Sequence, residues 1–167
     1  LLAEDHGLSL GVFGTAGHSL AREILLGPDV DVLFTIGASL NEITTYNWLP
    51  QLRPRKALLQ NDIDADRIGR NYPVDVPLVG DAQTILVEIV YHLHRAIRDG
   101  KLPRSKWQPQ APPLPREDHY SEPELRRSEA IPVTPQRWRV DLTEVLPEDA
   151  ILFSDCGGHM LSNIHDL

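Results

Sequence analysis

Five short loops hold the residues whose types and spacing suit them to ligand chemistry. Gly14-Thr15-Ala16-Gly17 leads from an apolar stretch, Leu8 to Phe13, into a helical pattern. Gly37-Ala38-Ser39-Leu40-Asn41, Asp62-Ile63-Asp64 and Gly80-Asp81-Ala82 each follow a run that reads as a strand. Gly157-Gly158-His159 follows another such run, Ala150 to Ser154. Glycine lets a backbone approach a ligand closely, and the start of a helix offers unpaired N–H groups to an anion. Asp62 or Asp81 can accept hydrogen bonds from a ribose hydroxyl or an adenine-bearing cofactor, and His159 can add a side-chain donor beside the Gly157-Gly158 amides. Glycine and aspartate are also ordinary turn and cap residues, so each loop has a purely architectural reading as well.

Other chemistries find less support. The glycine spacing does not match Gly-x-Gly-x-x-Gly, so a standard Rossmann NAD site is not expected. His92 and His94 sit two apart on a helix and point to different faces, unlike a metal pair. His6, His18, His119 and His165 have no partner at ligand spacing. Cys156 abuts a helix start, which lowers a thiol pKa, but no histidine-and-base order accompanies it. Arg67 and Arg70 could reach a phosphate or pair with Asp64 and Asp66, and surface pairing is the expected outcome.

The elements that must position these loops alternate strand and helix. Leu20, Ala21, Ile24 and Leu25 share one helical face in a segment starting near Ala16, and Gly27-Pro28 stops it. Val30 to Ile36 has the look of a strand buried on both faces of a parallel sheet. Lys56 to Ile63 and Val76 to Val79 read as further strands. Asp81 then caps a helix whose apolar residues, Ala82, Ile85, Leu86, Ile89, Val90, Leu93, Ala96 and Ile97, keep i, i+3, i+4, i+7 spacing until Asp99-Gly100. This alternation implies βαβ units: an α/β fold, Rossmann-like, with a mainly parallel sheet and helices on both faces. In such a sheet ligands sit at the carboxyl ends of strands, where four of the five loops fall.

Eight of the 14 prolines lie between Pro103 and Pro135, so residues 101–134 read as an extended linker. Thr134-Pro135 has the N-cap and first-turn signature of a new helix with Trp138, Leu142 and Val145-Leu146 on its apolar face. Ala150 to Ser154 reads as a buried strand entering a glycine turn. The expected organisation is a central nucleotide-binding-type domain over 1–100, truncated at its N-terminus, then the linker, then the opening βα unit of a second α/β domain over 135–167.

The 167 residues are 41% hydrophobic and 24% charged, enough apolar material for a folded core. A formal net charge of −8 argues against nucleic acid or an anionic membrane as partner. No apolar run approaches the ~18 residues of a membrane span. A single cysteine excludes an internal disulfide framework and fits a reducing, cytoplasmic compartment.

Read in series, these segments resemble the thiamine-diphosphate-dependent decarboxylase and carboligase family, closest to acetolactate synthases. The resemblance lies in Leu10-Gly11-Val12-Phe13-Gly14-Thr15-Ala16-Gly17, Ile36-Gly37-Ala38-Ser39-Leu40-Asn41-Glu42, and Asp62-Ile63-Asp64 with Ile68-Gly69-Arg70-Asn71. It continues in Gly80-Asp81-Ala82 and Ser154-Asp155-Cys156-Gly157-Gly158-His159-Met160. It covers residues 5–99 and 135–167, and its force comes from five motifs in order rather than from any one.

The resemblance implies a three-domain α/β enzyme acting on 2-oxo acids through thiamine diphosphate and Mg²⁺, assembled as a homodimer or homotetramer. It implies that the central domain holds FAD, ADP or nothing. Gly14, Thr15, Ala16, Gly17, Gly37, Ala38, Asp62, Ile63, Gly80, Asp81 and Ala82 then occupy FAD-contacting positions, and Gly158 and His159 match a diphosphate-contacting pair. Where FAD-dependent members carry an arginine in a Gly-Ala-Arg-Phe-type loop, this chain has Ser39-Leu40-Asn41-Glu42, and a serine does not replace a guanidinium clamp. By the same resemblance the catalytic glutamate and the Gly-Asp-Gly metal motif belong outside residues 1–167. No residue here is then assigned as catalytic or as a metal ligand, and the chain alone is expected to be inactive. The alternative reading is a non-catalytic domain that binds FAD or ADP, or a structural one.

Overall fold

The computed structural model describes residues 6–103, 124–147, 149–155 and 157–158. These fall into two compact units, one of residues 6–25 with 124–158 and one of residues 26–103.

The second unit is built on a parallel sheet of three strands, β1 (Val32–Ile36), β2 (Ala57–Asp62) and β3 (Val76–Val79), in the order β1-β2-β3. Val32 pairs with Ala57 and Ile36 with Asn61; Leu59 pairs with Val76 and Asp62 with Val79. A parallel α/β sheet is therefore present. Its first strand differs in burial from the expectation. β1 lies at an edge, so Val32 and Ile36 are exposed and its three middle residues only half-buried. The central strand β2 carries the core instead, with Leu58, Gln60, Asn61 and Asp62 all buried.

Parallel neighbours need a long crossover. Here neither crossover within the sheet contains an α-helix. The chain from β1 to β2 winds through 3₁₀ turns at Ile43–Thr45 and Pro50–Leu52, and that from β2 to β3 through one at Ala65–Arg67. Leu40, Leu52 and Tyr72 from these crossovers join Leu58 in the core. Tyr72 satisfies its buried hydroxyl by donating to the Leu49 carbonyl at 3.1 Å.

The first crossover contains three consecutive left-handed residues, Tyr46, Asn47 and Trp48, with φ of 51°, 61° and 55°. Left-handed backbone is disfavoured for such side chains and persists only where the surroundings over-determine it. Thr45, fully buried, supplies that hold. Its Oγ1 donates to the Asn41 carbonyl at 2.7 Å and accepts from the Trp48 N–H at 3.0 Å.

The amino ends of the strands are tied by charge. Lys56 pairs with Asp31, and Asp75 accepts from Arg53 at 3.2 Å and from the Leu58 N–H at 2.8 Å.

Helix α2 (Ala82–Arg98) follows β3 directly. Asp81 is its N-cap, as expected, accepting from both the N–H and the hydroxyl of Thr84 at 3.0 and 3.1 Å. Gly100 ends it in a left-handed conformation, φ 72°. The helix is strongly amphipathic, yet none of its side chains is fully buried, and Leu86, Val90 and Leu93 are exposed. Leu78 of β3 and Ile85, Glu88, Ile89, His92 and Leu93 of α2 line an open apolar groove of about 390 Å³.

In the first unit, α1 (Ser19–Leu25) starts three residues later than the pattern suggested, because residues 12–18 are wound into a tight turn. Thr134 caps α3 (Pro135–Val145), accepting from the Arg137 N–H while its own hydroxyl donates to the Leu125 carbonyl. The apolar face of α3 departs from expectation. Trp138 and Val145 are exposed, whereas Arg139 is 2% exposed. Arg139, rather than the tryptophan ring, takes the buried side of the helix. Residues 150–155 also differ: they form no ladder with any described strand, and Ile151 and Phe153 lie open. Apolar composition favours a strand, but a strand exists only with a partner to pair with. Most of the proline-rich stretch, residues 104–123, lies outside the described residues, as do Cys156 and His159. No described helix is long and apolar enough to cross a membrane.

Two measurements probe this frame. Leu58 is 1% exposed at the centre of the sheet, so Leu58→Ala is expected to destabilise the unit by about 2–5 kcal/mol in denaturant melts, through lost burial and a residual cavity. The Thr84 N–H, then the Thr84 hydroxyl, hold the Asp81 carboxyl below its ordinary value of 3.8. A depressed carboxylate stabilises the fold above its unfolded pKa, and that contribution is lost as pH falls through the folded pKa. Asp81→Ala is therefore expected to lower the melting temperature at pH 7, with the gap to the wild type closing at pH values below 3.8; a gap independent of pH would contradict the cap.

Candidate functional site

Three of the loops anticipated from sequence meet at one place, the carboxyl edge of the sheet. Gly37-Ala38 leaves β1, Asp62-Ile63 ends β2, and Gly80-Asp81-Ala82 joins β3 to α2. In parallel α/β sheets this edge is where ligands bind, because strands deliver loops there and helices begin there.

The edge is held by backbone hydrogen bonds that continue the ladders. The Gly37 N–H donates to the Asn61 carbonyl at 2.9 Å, and the Gly80 N–H to the Asp62 carbonyl at 3.0 Å. Gly37 turns with φ 60° into open space, and Gly80 with φ 150° beside the Ile85 side chain, so both positions are strained for any residue with a Cβ. Asp62, 5% exposed, accepts from the Asp64 N–H at 3.0 Å. Ile63 beside it is 77% exposed, an apolar side chain offered at the rim. Asp64 pairs with Arg67 at 3.5 Å, the surface pairing expected of that cluster.

Three side-chain amides organise the edge: Gln60 and Asn61, which none of the sequence motifs contains, and Asn71, which closes the Ile68-Gly69-Arg70-Asn71 motif. Gln60 and Asn61 point their amides from the buried strand β2 to the loops on either side. Gln60 donates to the Ala38 carbonyl at 3.3 Å and accepts from the Gly69 N–H at 3.0 Å. Asn61 donates to the carbonyls of Leu78 and Gly80, at 2.9 and 3.0 Å. Asn71 donates to the carbonyls of Ser39 and Leu40, at 3.1 and 3.0 Å. One signal was available in sequence: a strand reading Leu58-Leu59-Gln60-Asn61-Asp62 must find partners for three polar side chains if it is buried.

The Gly14–Gly17 loop belongs to the other compact unit. There the glycines serve close approach within their own turn. A Cβ at Gly17 would stand 2.4 Å from the Val12 carbonyl, and one at Gly11 2.1 Å from Nδ1 of His18, which accepts the Val12 N–H. Thr15 is exposed at the tip and Ala16 half-buried. A Cβ added at Gly158 would meet nothing within 4 Å, and His159 lies outside the described residues. Among the described residues no group of three histidine, cysteine or acidic side chains could hold a metal ion. The carboxyl edge thus offers backbone donors, loop glycines and two aspartates. That set suits binding of a polar ligand.

Residues 1–89 match the family model of the thiamine pyrophosphate enzyme central domain. Over its length the chain is 30% identical to a probable sulfoacetaldehyde acetyltransferase from Rhizobium meliloti, the alignment covering 93% of this chain and 28% of that protein. It is also 30% identical to a probable acetolactate synthase large subunit from Methanocaldococcus jannaschii, over 97% of this chain and 27% of that protein. A shorter match, 32% identical over 51% of this chain and 14% of the relative, is to the acetolactate synthase isozyme 3 large subunit of Escherichia coli. The chain thus spans little more than a quarter of the length of the first two relatives and 14% of the third. With a family match across more than half its residues and a parallel α/β sheet beneath it, the chain belongs to the thiamine pyrophosphate enzymes, acetolactate synthase-like, and carries their central domain.

Proposed function

We propose that this chain is part of a thiamine-diphosphate-dependent decarboxylase and carboligase acting on 2-oxo acids. The family match over residues 1–89 carries the reading, and two relatives named as acetolactate synthase large subunits point to its reaction class. In such an enzyme the carbanion chemistry is supplied by thiamine diphosphate with Mg²⁺, and the protein binds and orients. The domain layout that goes with it is a central domain over 1–100, a linker over 101–134 and the start of the diphosphate-binding domain over 135–167. Gly158 and His159 would then contribute to that diphosphate site. The parent protein would be a cytoplasmic homodimer or homotetramer.

The role of the central domain in this reading is to hold an adenine nucleotide, FAD or ADP, at the carboxyl edge of its sheet. Gly37, Ala38, Gly80 and Ala82 would present backbone to it, Asp62 and Asp81 would face its hydroxyls, and Ile63 would line it with an apolar side chain. Gly14, Thr15, Ala16 and Gly17 are nucleotide-contacting positions by the family resemblance alone, and they lie in the other compact unit. The donor set fits the group: glycine turns at strand ends and buried amides that fix the loops. Without an arginine at the 37–42 loop, a nucleotide diphosphate must be met there by backbone rather than by a guanidinium.

Two assays test the reading. Titrated into the 167-residue chain, ADP is expected to saturate at least as tightly as FAD, followed by calorimetry and by flavin fluorescence. Saturation by FAD with no response to ADP would reverse the nucleotide preference, and a response to neither would remove the site. Supplied with pyruvate, thiamine diphosphate and Mg²⁺, the chain alone is expected to form no acetolactate; measurable product would show that residues 1–167 hold catalytic groups this reading places elsewhere.

A further inference from the structure

The loop from Ala38 to Asn41 has its peptide groups committed in one sense. Side-chain amides take its carbonyls: Gln60 donates to Ala38, and Asn71 donates to both Ser39 and Leu40. Two successive carbonyls can converge on one amide because Leu40 is left-handed, φ 49°, with its side chain 7% exposed and anchored in the core. The next carbonyl, of Asn41, is taken by the Thr44 and Thr45 hydroxyls at 3.2 and 2.7 Å. The opposite ends of the same peptides are unspent. Among the described residues the N–H groups of Ser39, Leu40 and Asn41 donate to nothing. A trans peptide is planar with its C=O and N–H opposed, so each of these N–H groups points away from the amide that holds its carbonyl. A hydrogen bond accepted at the carbonyl also polarises the peptide and strengthens its N–H as a donor.

We propose that Gln60 and Asn71 are positioning residues that turn the 38–40 carbonyls inward and so present the N–H groups of Ser39, Leu40 and Asn41 as a donor row for a diphosphate. The inference rests on the nucleotide-binding reading above and supplies what that reading lacks, a group to meet the anion in place of the arginine. The row sits at the carboxyl end of β1, where an incoming ligand would reach it. Oriented backbone donors of this kind bind anions without a basic side chain.

The test uses the ¹⁵N-labelled 167-residue chain with inorganic pyrophosphate as the probe. The amide resonances of residues 39–41 are expected to shift on titration and to reach saturation. Asn71→Ala, at an exposed position, is expected to weaken pyrophosphate about tenfold, the scale of one hydrogen bond to a charged group, while the β2 and β3 amides keep their positions. Asn71→Asp, which keeps the shape but removes the donor, should lose as much. Because Gln60 is buried, Gln60→Ala is read only where its spectrum retains the β2–β3 ladder. Residues 39–41 unmoved by pyrophosphate, or Asn71→Ala binding as the wild type does, would overturn the proposal. Nucleotide binding with those amides still would sink this inference and leave the nucleotide reading standing. Shifts with pyrophosphate but no binding of ADP or FAD would do the reverse.

Discussion

A buried parallel strand that ends in polar side chains must satisfy them, and this constraint shapes the second unit. β2 is flanked on both sides, so Gln60 and Asn61 cannot reach bulk water from its carboxyl end. An unsatisfied buried amide costs about 1–3 kcal/mol, whereas a satisfied one fixes its partner. Each therefore reaches sideways to loop carbonyls, Gln60 toward the loop after β1 and Asn61 toward the turn after β3. The carboxyl edge is consequently set by the central strand. At the opposite end of the strands, charged pairs do the joining, and those are exposed and weak by comparison.

Local signals were legible in the sequence and distant ones were not. The bounds of β3 and α2, the Asp81 cap, the Gly100 stop and the Thr134-Pro135 start of α3 all appear where residue chemistry placed them, because a cap or a turn is decided within four residues. The three edge loops were equally visible as glycine and aspartate clusters. The amide contacts that fix them were not: Gln60 meets a carbonyl 22 residues away, and Asn71 meets carbonyls 31 and 32 residues away. Propensity also misjudged residues 150–154, whose strand character needs a partner that composition cannot supply. The half-exposed β1 fails for a related reason, since nothing in Val30 to Ile36 says that the strand lies at an edge.

The family relation and the geometry bear on different questions. Membership fixes the class of domain, a Rossmann-like central module, while a fold shared by many proteins does not by itself say what sits on it. The left-handed stretch Tyr46–Trp48 shows how far the crossover has been bent to keep its beginning in place. Thr45 holds that stretch and the Asn41 carbonyl with one hydroxyl, so the strain of the turn and the shape of the edge loop share a single buried atom.

The open face of α2 has a thermodynamic corollary. A helix whose apolar stripe is left half-covered has yet to realise much of the burial free energy its sequence encodes. Any species that covers the stripe only in the folded state adds RT ln(1 + [L]/Kd) to stability, and a second copy of the chain counts as such a species. Were a second copy to cover the stripe, the midpoint of unfolding would rise with protein concentration.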